Sequence, residues 1–158
     1  MRRHKLDRID RKILADLQDQ GRMTNVELAS RAGISAPPCL RRVRKLEESG
    51  YVKGYHAVLD PAALGYSVTV FAMVKLTSQA EADLKKFEEQ VANWPEVREC
   101  HLLTGEADYL LKIVSRSWDS YQQFLMQTLT STPGVSSVKS ALRVRGTKEL
   151  PGVPVETA

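Results

Sequence analysis

The chain has 158 residues, enough for one ordinary domain or two small ones. A hydrophobic fraction of 42% excludes a disordered tail, and a formal net charge of +4 is too small to mark a nucleic-acid partner by itself. The placement of charge says more: residues 1–60 hold thirteen Lys and Arg against eight Asp and Glu, and the remainder holds ten against eleven. The basic character belongs to the N-terminal part. No secretory h-region and no long apolar run is visible, and Cys39 and Cys100 stand outside any CxxC pair. A cytoplasmic protein without disulfides, structural metal, cofactor or membrane anchor is expected.

Residues 1–5 (MRRHK) read as a short basic arm. Asp7 is placed to cap a helix over about 8–19, with Ile9, Ile13, Leu14 and Leu17 on one face. Thr24 and Glu27 form a capping box that opens a second helix, and Gly33 supplies a tight turn. Ser35 is expected to cap a third helix that ends near Gly50. At about 100° per residue, Leu40, Val43 and Leu46 share one stripe of it, with Cys39 near the inward edge. Pro38, Arg41, Arg42 and Lys45 fall opposite, flanked by Pro37 and Arg44. The two prolines sit in the first turn, where the backbone N–H groups have no helical partner. Tyr51–Leu59 reads as a short β segment, a wing carrying Lys53.

Two opposed faces on the second helix of such a pair suit packing on a core while lying in a DNA major groove. Ser35, Pro37 and Pro38 would approach phosphates or bases. Arg41, Arg42 and Lys45 would reach base edges or backbone, and Arg44 and Lys53 flanking phosphates. The competing reading of RRVRK is an ordinary solvated helix face. The capping box, the Gly turn, the opposed faces and the N-terminal basic excess together favour DNA.

After Asp60-Pro61 the texture changes. A strand is expected over 67–76, and a helix opened by a capping box at Ser78 and Glu81 with Leu84, Phe87 and Val91 inward. Strands at 97–104 and 107–115 follow, then a helix capped by Ser117 with Trp118, Tyr121, Phe124, Leu125, Thr128 and Leu129 on one face, and a strand over 135–144. The order β-α-β-β-α-β is ferredoxin-like, with both helices on one face of an antiparallel sheet. The first strand is apolar on both sides: Val68, Val70, Ala72 and Val74 on one, Phe71 and Met73 on the other. A sheet with one wet face alternates apolar and polar, so a second subunit is expected over the open face. The fold class is therefore α+β: a winged helix-turn-helix domain at 1–60 (helix-turn-helix about 25–44), a linker at 61–66, a ferredoxin-like domain at 67–146 and a tail at 147–158.

LDRIDRKILADLQDQGRMTNVELASRAGIS and PPCLRRVRKLEESGYVKGYHAVLDP resemble the N-terminal module of the Lrp/AsnC family of transcriptional regulators, closest to its leucine-responsive branch. ECHLLTGEADYLLKI and TLTSTPGVSSVKS resemble its C-terminal effector module. The resemblance runs from Leu6 to Val144 without large gaps. It implies a homodimer assembling to an octamer or similar, and a free amino acid bound between subunits. It places the effector site around Gly105, Glu106, Ala107, Asp108 and Tyr109, with Thr104 and His101 at its border. A Gly at the hairpin lets backbone N–H groups face a ligand carboxylate, and Asp108 would pair with the ammonium. Family members usually carry an acidic residue and an aromatic between this Gly and Asp; Ala107 departs from that pattern.

Cys100 and His101 are adjacent on a strand and point to opposite faces, which excludes shared metal ligation without distortion. His4 and His56 have no partners in sequence. No Ser/His/Asp set, P-loop or dinucleotide-binding glycine pattern supports an enzyme. The expected function is an amino-acid-responsive regulator, activator or repressor, binding double-stranded DNA. The alternatives are an effector-independent architectural DNA-organising protein and a small ferredoxin-like enzyme with an incidental N-terminal module.

Overall fold

A computed structural model describes residues 5–157, so most of the basic arm, His4 included, lies outside the described residues. The described residues divide into two compact units: residues 5–58 together with 148–157, and residues 59–147.

The first unit is built on three helices, α1 (Arg8–Asp19), α2 (Asn25–Ala32) and α3 (Ala36–Glu48). Its helix starts are specified locally. Asp7 and Asp10 make a reciprocal capping box on α1, and Thr24 and Glu27 make one on α2. Gly33 closes α2 in the left-handed region at φ 70°, where an L side chain is strained. The core consists of Ile13, Leu28, Ala29, Cys39 and Leu46.

Three features of this unit differ from expectation. Ser35 occupies the N-cap position of α3 with extended backbone, but its hydroxyl makes no cap hydrogen bond. A cap hydroxyl accepts from the second or third helical N–H, and both positions are proline here, so there is nothing to accept. The inward stripe of α3 is also rotated: it runs through Cys39, Val43 and Leu46, while Leu40 is 39% exposed. Finally, Tyr51–Leu59 forms no strand. The first unit has no other strand among its described residues to complete a ladder. Tyr51 and Val52 instead pack on the helical core, and Lys53 onward is exposed.

The second unit contains β1 (Val68–Leu76), α4 (Glu81–Val91), β2 (Val97–Leu102), β3 (Tyr109–Ser115), α5 (Trp118–Phe124), a π-helical turn (Leu125–Leu129) and β4 (Val135–Leu142). The sheet order is β2-β3-β1-β4, with antiparallel pairing throughout. This is the ferredoxin-like arrangement. On the helix side, Val70, Ala72, Val74, Leu76, Tyr109, Leu111 and Ile113 meet Phe87, Val91, Tyr121, Phe124 and Leu129. Tyr109 sits 4.8 Å from the Phe87 ring, at a tilt of 44°.

Helix α4 starts later than the Ser78/Glu81 box implies. Ala80 is its N-cap, and the Ser78 hydroxyl accepts from the Ala80 N–H instead, closing a local turn before the helix. The last helix is not regular: α5 gives way to the π-helical turn, whose wider winding frees carbonyls. The hydroxyls of Thr130, Ser131 and Thr132 donate to the carbonyls of Leu125, Met126 and Thr128. Trp118, expected inward, is 45% exposed. The face of the sheet away from the helices carries Phe71, Met73, Leu110 and Val114 among Glu99, His101, Lys112 and Lys139, as the strand register places them.

Candidate DNA-binding and effector sites

The outer surface of α3 presents Pro37, Arg41, Arg44 and Lys45, all exposed, with Pro38 half-buried at their base. The exposed Ser35 hydroxyl, denied a capping role by the prolines, stands at the same end. The start of α3 is further held by Asn25, whose side-chain amide donates to the Ala36 carbonyl at 2.9 Å. Hydroxyl, prolines and three outward cations thus share one rigid helix surface, which is the arrangement that phosphate and base-edge recognition requires.

Arg42 does not belong to that surface, contrary to the helical-wheel assignment. Its guanidinium donates to Asp10 at 2.6 Å and to Asp7 at 2.8 Å. The Asp10 side chain is only 2% exposed, so it needs a buried cation. The Asp10 hydrogen bond, then that of Asp7, holds the guanidinium still more firmly protonated. Asp7 in turn is held below the usual carboxylate range, chiefly by the Asp10 backbone N–H and then by Arg42. Arg42 ties α3 to α1 and fixes the angle at which the exposed basic surface of α3 is presented. Sequence reasoning missed Asp10 because an acidic residue in the first turn of α1 reads as a cap alone. Lys53 is exposed on the irregular segment that follows α3.

In the second unit, β2 and β3 are joined by the hairpin at 103–108, with Gly105 at φ 134°. The Leu103 N–H donates to the Asp108 carbonyl, and the Asp108 N–H to the Val74 carbonyl of β1. The Asp108 carboxylate accepts from the Leu76 N–H at 2.6 Å, and the Gln79 amide lies 3.3 Å from its other oxygen. Asp108 therefore clamps the hairpin to the end of β1, and the role of free partner for a ligand ammonium does not fit it. Tyr109 is likewise not at the hairpin surface. Its ring is in the helix-side core and its hydroxyl donates to Glu88 at 2.9 Å. Burial, then that hydrogen bond, drives its ionisation well above the ordinary tyrosine range.

Thr104, Glu106 and Ala107 come together beside a groove of roughly 490 Å³, with Met73, Lys75, Leu103, Ser137 and Lys139 completing the wall. His101 lies on the same open sheet face, with Nε2 3.3 Å from Glu99, itself paired with Lys112 at 2.8 Å. Lys112, then His101, holds Glu99 below the usual carboxylate range. Lys75, Ser137 and Lys139 escaped the sequence reading because only the β1–β4 register, with Lys75 opposite Ser137 and Met73 opposite Lys139, brings them to the hairpin.

The winged helix-turn-helix DNA-binding family model matches residues 6–53, and the Lrp/AsnC ligand binding domain model matches residues 69–153. The chain belongs to the Lrp/AsnC family. It is a DNA-binding transcriptional regulator of that family, and not an enzyme. Two curated relatives illustrate the match. A leucine-responsive regulatory protein from Rhizobium meliloti is 52% identical over 147 residues, covering 93% of this chain and 94% of that one. The Bkd operon transcriptional regulator of Pseudomonas aeruginosa is 46% identical over 140 residues, covering 89% and 92%. Among solved structures, a transcriptional regulator from Neisseria meningitidis in complex with L-Met superposes with a TM-score of 0.91 at 38% identity, over 95% of this chain and 97% of that one. The Lrp/AsnC helix-turn-helix here precedes the ligand-binding domain. No helix among the described residues is long and apolar enough to cross a membrane, and no cluster of three or more His, Cys, Asp or Glu among them could hold a metal.

Proposed function

We propose that this regulator works as a homo-oligomer in the cytoplasm, reads DNA through α3, and responds to a free amino acid held beside the 103–108 hairpin. Residues 1–60 are the DNA-binding module, 61–66 the linker and 67–146 the effector and assembly module. The observation that carries the DNA reading is the division of labour on α3. Arg42 is consumed inside the fold, while Arg41, Arg44, Lys45 and the Ser35 hydroxyl are left outward. The half-exposed Phe71 and Met73 on the face away from the helices support a second subunit against that sheet, and the dimer is the unit from which an octamer or similar assembly is built.

A zwitterionic ligand needs donors for its carboxylate and an anion for its ammonium. The groove has Lys75 and Lys139 for the first and the exposed Glu106 for the second. Met73, Leu103 and Ala107 suit an apolar side chain. Ligand control of DNA binding requires that the amino acid prefer one assembly state over another.

The test is thermal unfolding with each of the twenty amino acids at millimolar concentration. A ligand at 100 times its Kd adds about 2.7 kcal/mol of stability. A selective upward shift that is lost in Glu106→Ala supports the reading. The absence of any shift favours an architectural, effector-independent DNA-organising protein, because Ala107 stands where the family usually has an aromatic.

A further inference from the structure

Residues 148–157 cluster with the first unit, although the sheet unit separates them from it in sequence. They do so through a specific clasp. The side-chain amide of Gln18, on α1, donates to the Val153 carbonyl at 2.7 Å and its oxygen accepts from the Val153 N–H at 3.1 Å. One glutamine thus satisfies both backbone groups of one residue, as a neighbouring strand would. Gly152 makes the approach possible: its φ is +69°, and a Cβ there would overlap the Gln18 carboxamide. Pro151 and Pro154 flank the clasped segment and limit the freedom that docking removes.

The direction of the segment follows from its neighbours. Pro151 and Gly152 border a cleft with Leu14, Leu17 and Tyr55, near the C-terminal end of α1. Thr157 borders a second cleft with Arg8, Ile9 and Lys12, near its start. Four extended steps from Val153 to Thr157 cover about 13 Å, close to the rise of the nine helical steps from Ile9 to Gln18. The segment therefore runs antiparallel along α1, with Val155 half-buried.

We propose that residues 148–157 are a strap that fastens the DNA-binding unit to the end of β4, a second tether in addition to the chain crossing at Val58–Leu59. Five residues separate Leu142 from Lys148. Fully extended, the six steps between them span at most about 21 Å. β4 carries Ser137 and Lys139 at the groove wall, and α1 carries Asp10, which holds Arg42 of α3. The strap is the covalent link between these two ends, and the transmitting role proposed for it is to carry a change at β4 to α1 and so to α3. This transmitting role rests on the effector reading of the groove; the docking itself does not.

The experiment uses the full-length protein and three variants: a stop after Gly146, Gln18→Ala and Gly152→Val. Gln18→Glu, which keeps the acceptor and loses the donor, serves as the conservative control. Circular dichroism checks that the helices are retained. Hydrogen exchange of the Val153 amide, without DNA or amino acid, reads docking. Affinity for a DNA fragment selected by the wild-type protein, with and without millimolar L-methionine or L-leucine, reads transmission. Protection of Val153 should fall by about fivefold to tenfold in Gln18→Ala and Gly152→Val and by less in Gln18→Glu. DNA affinity should change by the same factor in the two point variants as in the truncation. Unprotected Val153 in the wild type overturns the docking. Unchanged DNA affinity in the truncation, or a change there that neither point variant shares, overturns the strap. A wild type that binds DNA but ignores both amino acids counts against their assignment as effectors and leaves the exchange and affinity readouts of the strap standing.

Discussion

Among the described residues the helical unit has five buried core side chains, and the sheet unit has twelve, four of them the aromatic residues Phe87, Tyr109, Tyr121 and Phe124. The difference shows how each unit fixes its geometry. With little apolar area to bury, the helical unit depends on directional polar bonds: two capping boxes, the Asn25 bond to Ala36, and Arg42 inserted between Asp7 and Asp10. The sheet unit is set by apolar mass and by strand register, and its polar bonds, from the Asp108 clamp to the Tyr109–Glu88 pair and the Ser117 capping box, are spread around that core. A unit that must present a surface at a fixed angle uses oriented bonds. A unit that must hold a sheet together uses packing.

The contrast is tested most directly at the sheet core. Leu111→Ala removes a fully buried side chain and should cost about 2–5 kcal/mol in chemical denaturation, with the destabilisation confined to the sheet unit if the two units melt separately. Asp10→Ala should come next. It strands Arg42, whose side chain is 31% exposed and so recovers some solvation, and a destabilisation of about 2 kcal/mol in the helical unit is expected. An Asp10→Ala protein as stable as wild type would mean that the polar clasp does not set this unit.

Smaller effects refine the contrast. Thr24→Ala removes the α2 cap and should cost about 1 kcal/mol in the melting of the helical unit. Acid should act on the same unit through Asp7. Its folded pKa lies below the unfolded value of 3.8, so its contribution is complete above that pH and is lost as pH falls through the folded value. Asp7→Asn should flatten the acid limb of the stability curve below about pH 4 and leave the neutral region nearly flat. The smallest stability change belongs to Arg41→Ala with Lys45→Ala, within about 0.5 kcal/mol, because both side chains are exposed. That double variant should nevertheless weaken DNA binding and reduce the salt slope by about one for each phosphate it no longer neutralises. A DNA affinity unchanged by it, but abolished in a still-folded Arg42→Ala, would reverse the assignment on α3.

Chemistry between near neighbours in the chain was enough to specify the three helices of the first unit, the Asp7 cap, the Thr24/Glu27 capping box, the left-handed turn at Gly33 and the ferredoxin-like order of the second unit. These features are local or periodic: a hydroxyl or carboxylate three residues from its partner, or apolar residues at helical and strand spacing. Tertiary packing settled what periodicity cannot see. It took Arg42 from the outward basic cluster, since a buried carboxylate 32 residues away in the chain demanded a cation. It turned Leu40 outward, withheld a strand from Tyr51–Leu59 and made Asp108 a hairpin clamp. It also built the groove from Lys75, Ser137 and Lys139, and laid the tail on α1. Each of those outcomes depends on which distant residue lies alongside, and that is set by packing and register rather than by the spacing of neighbours along the chain.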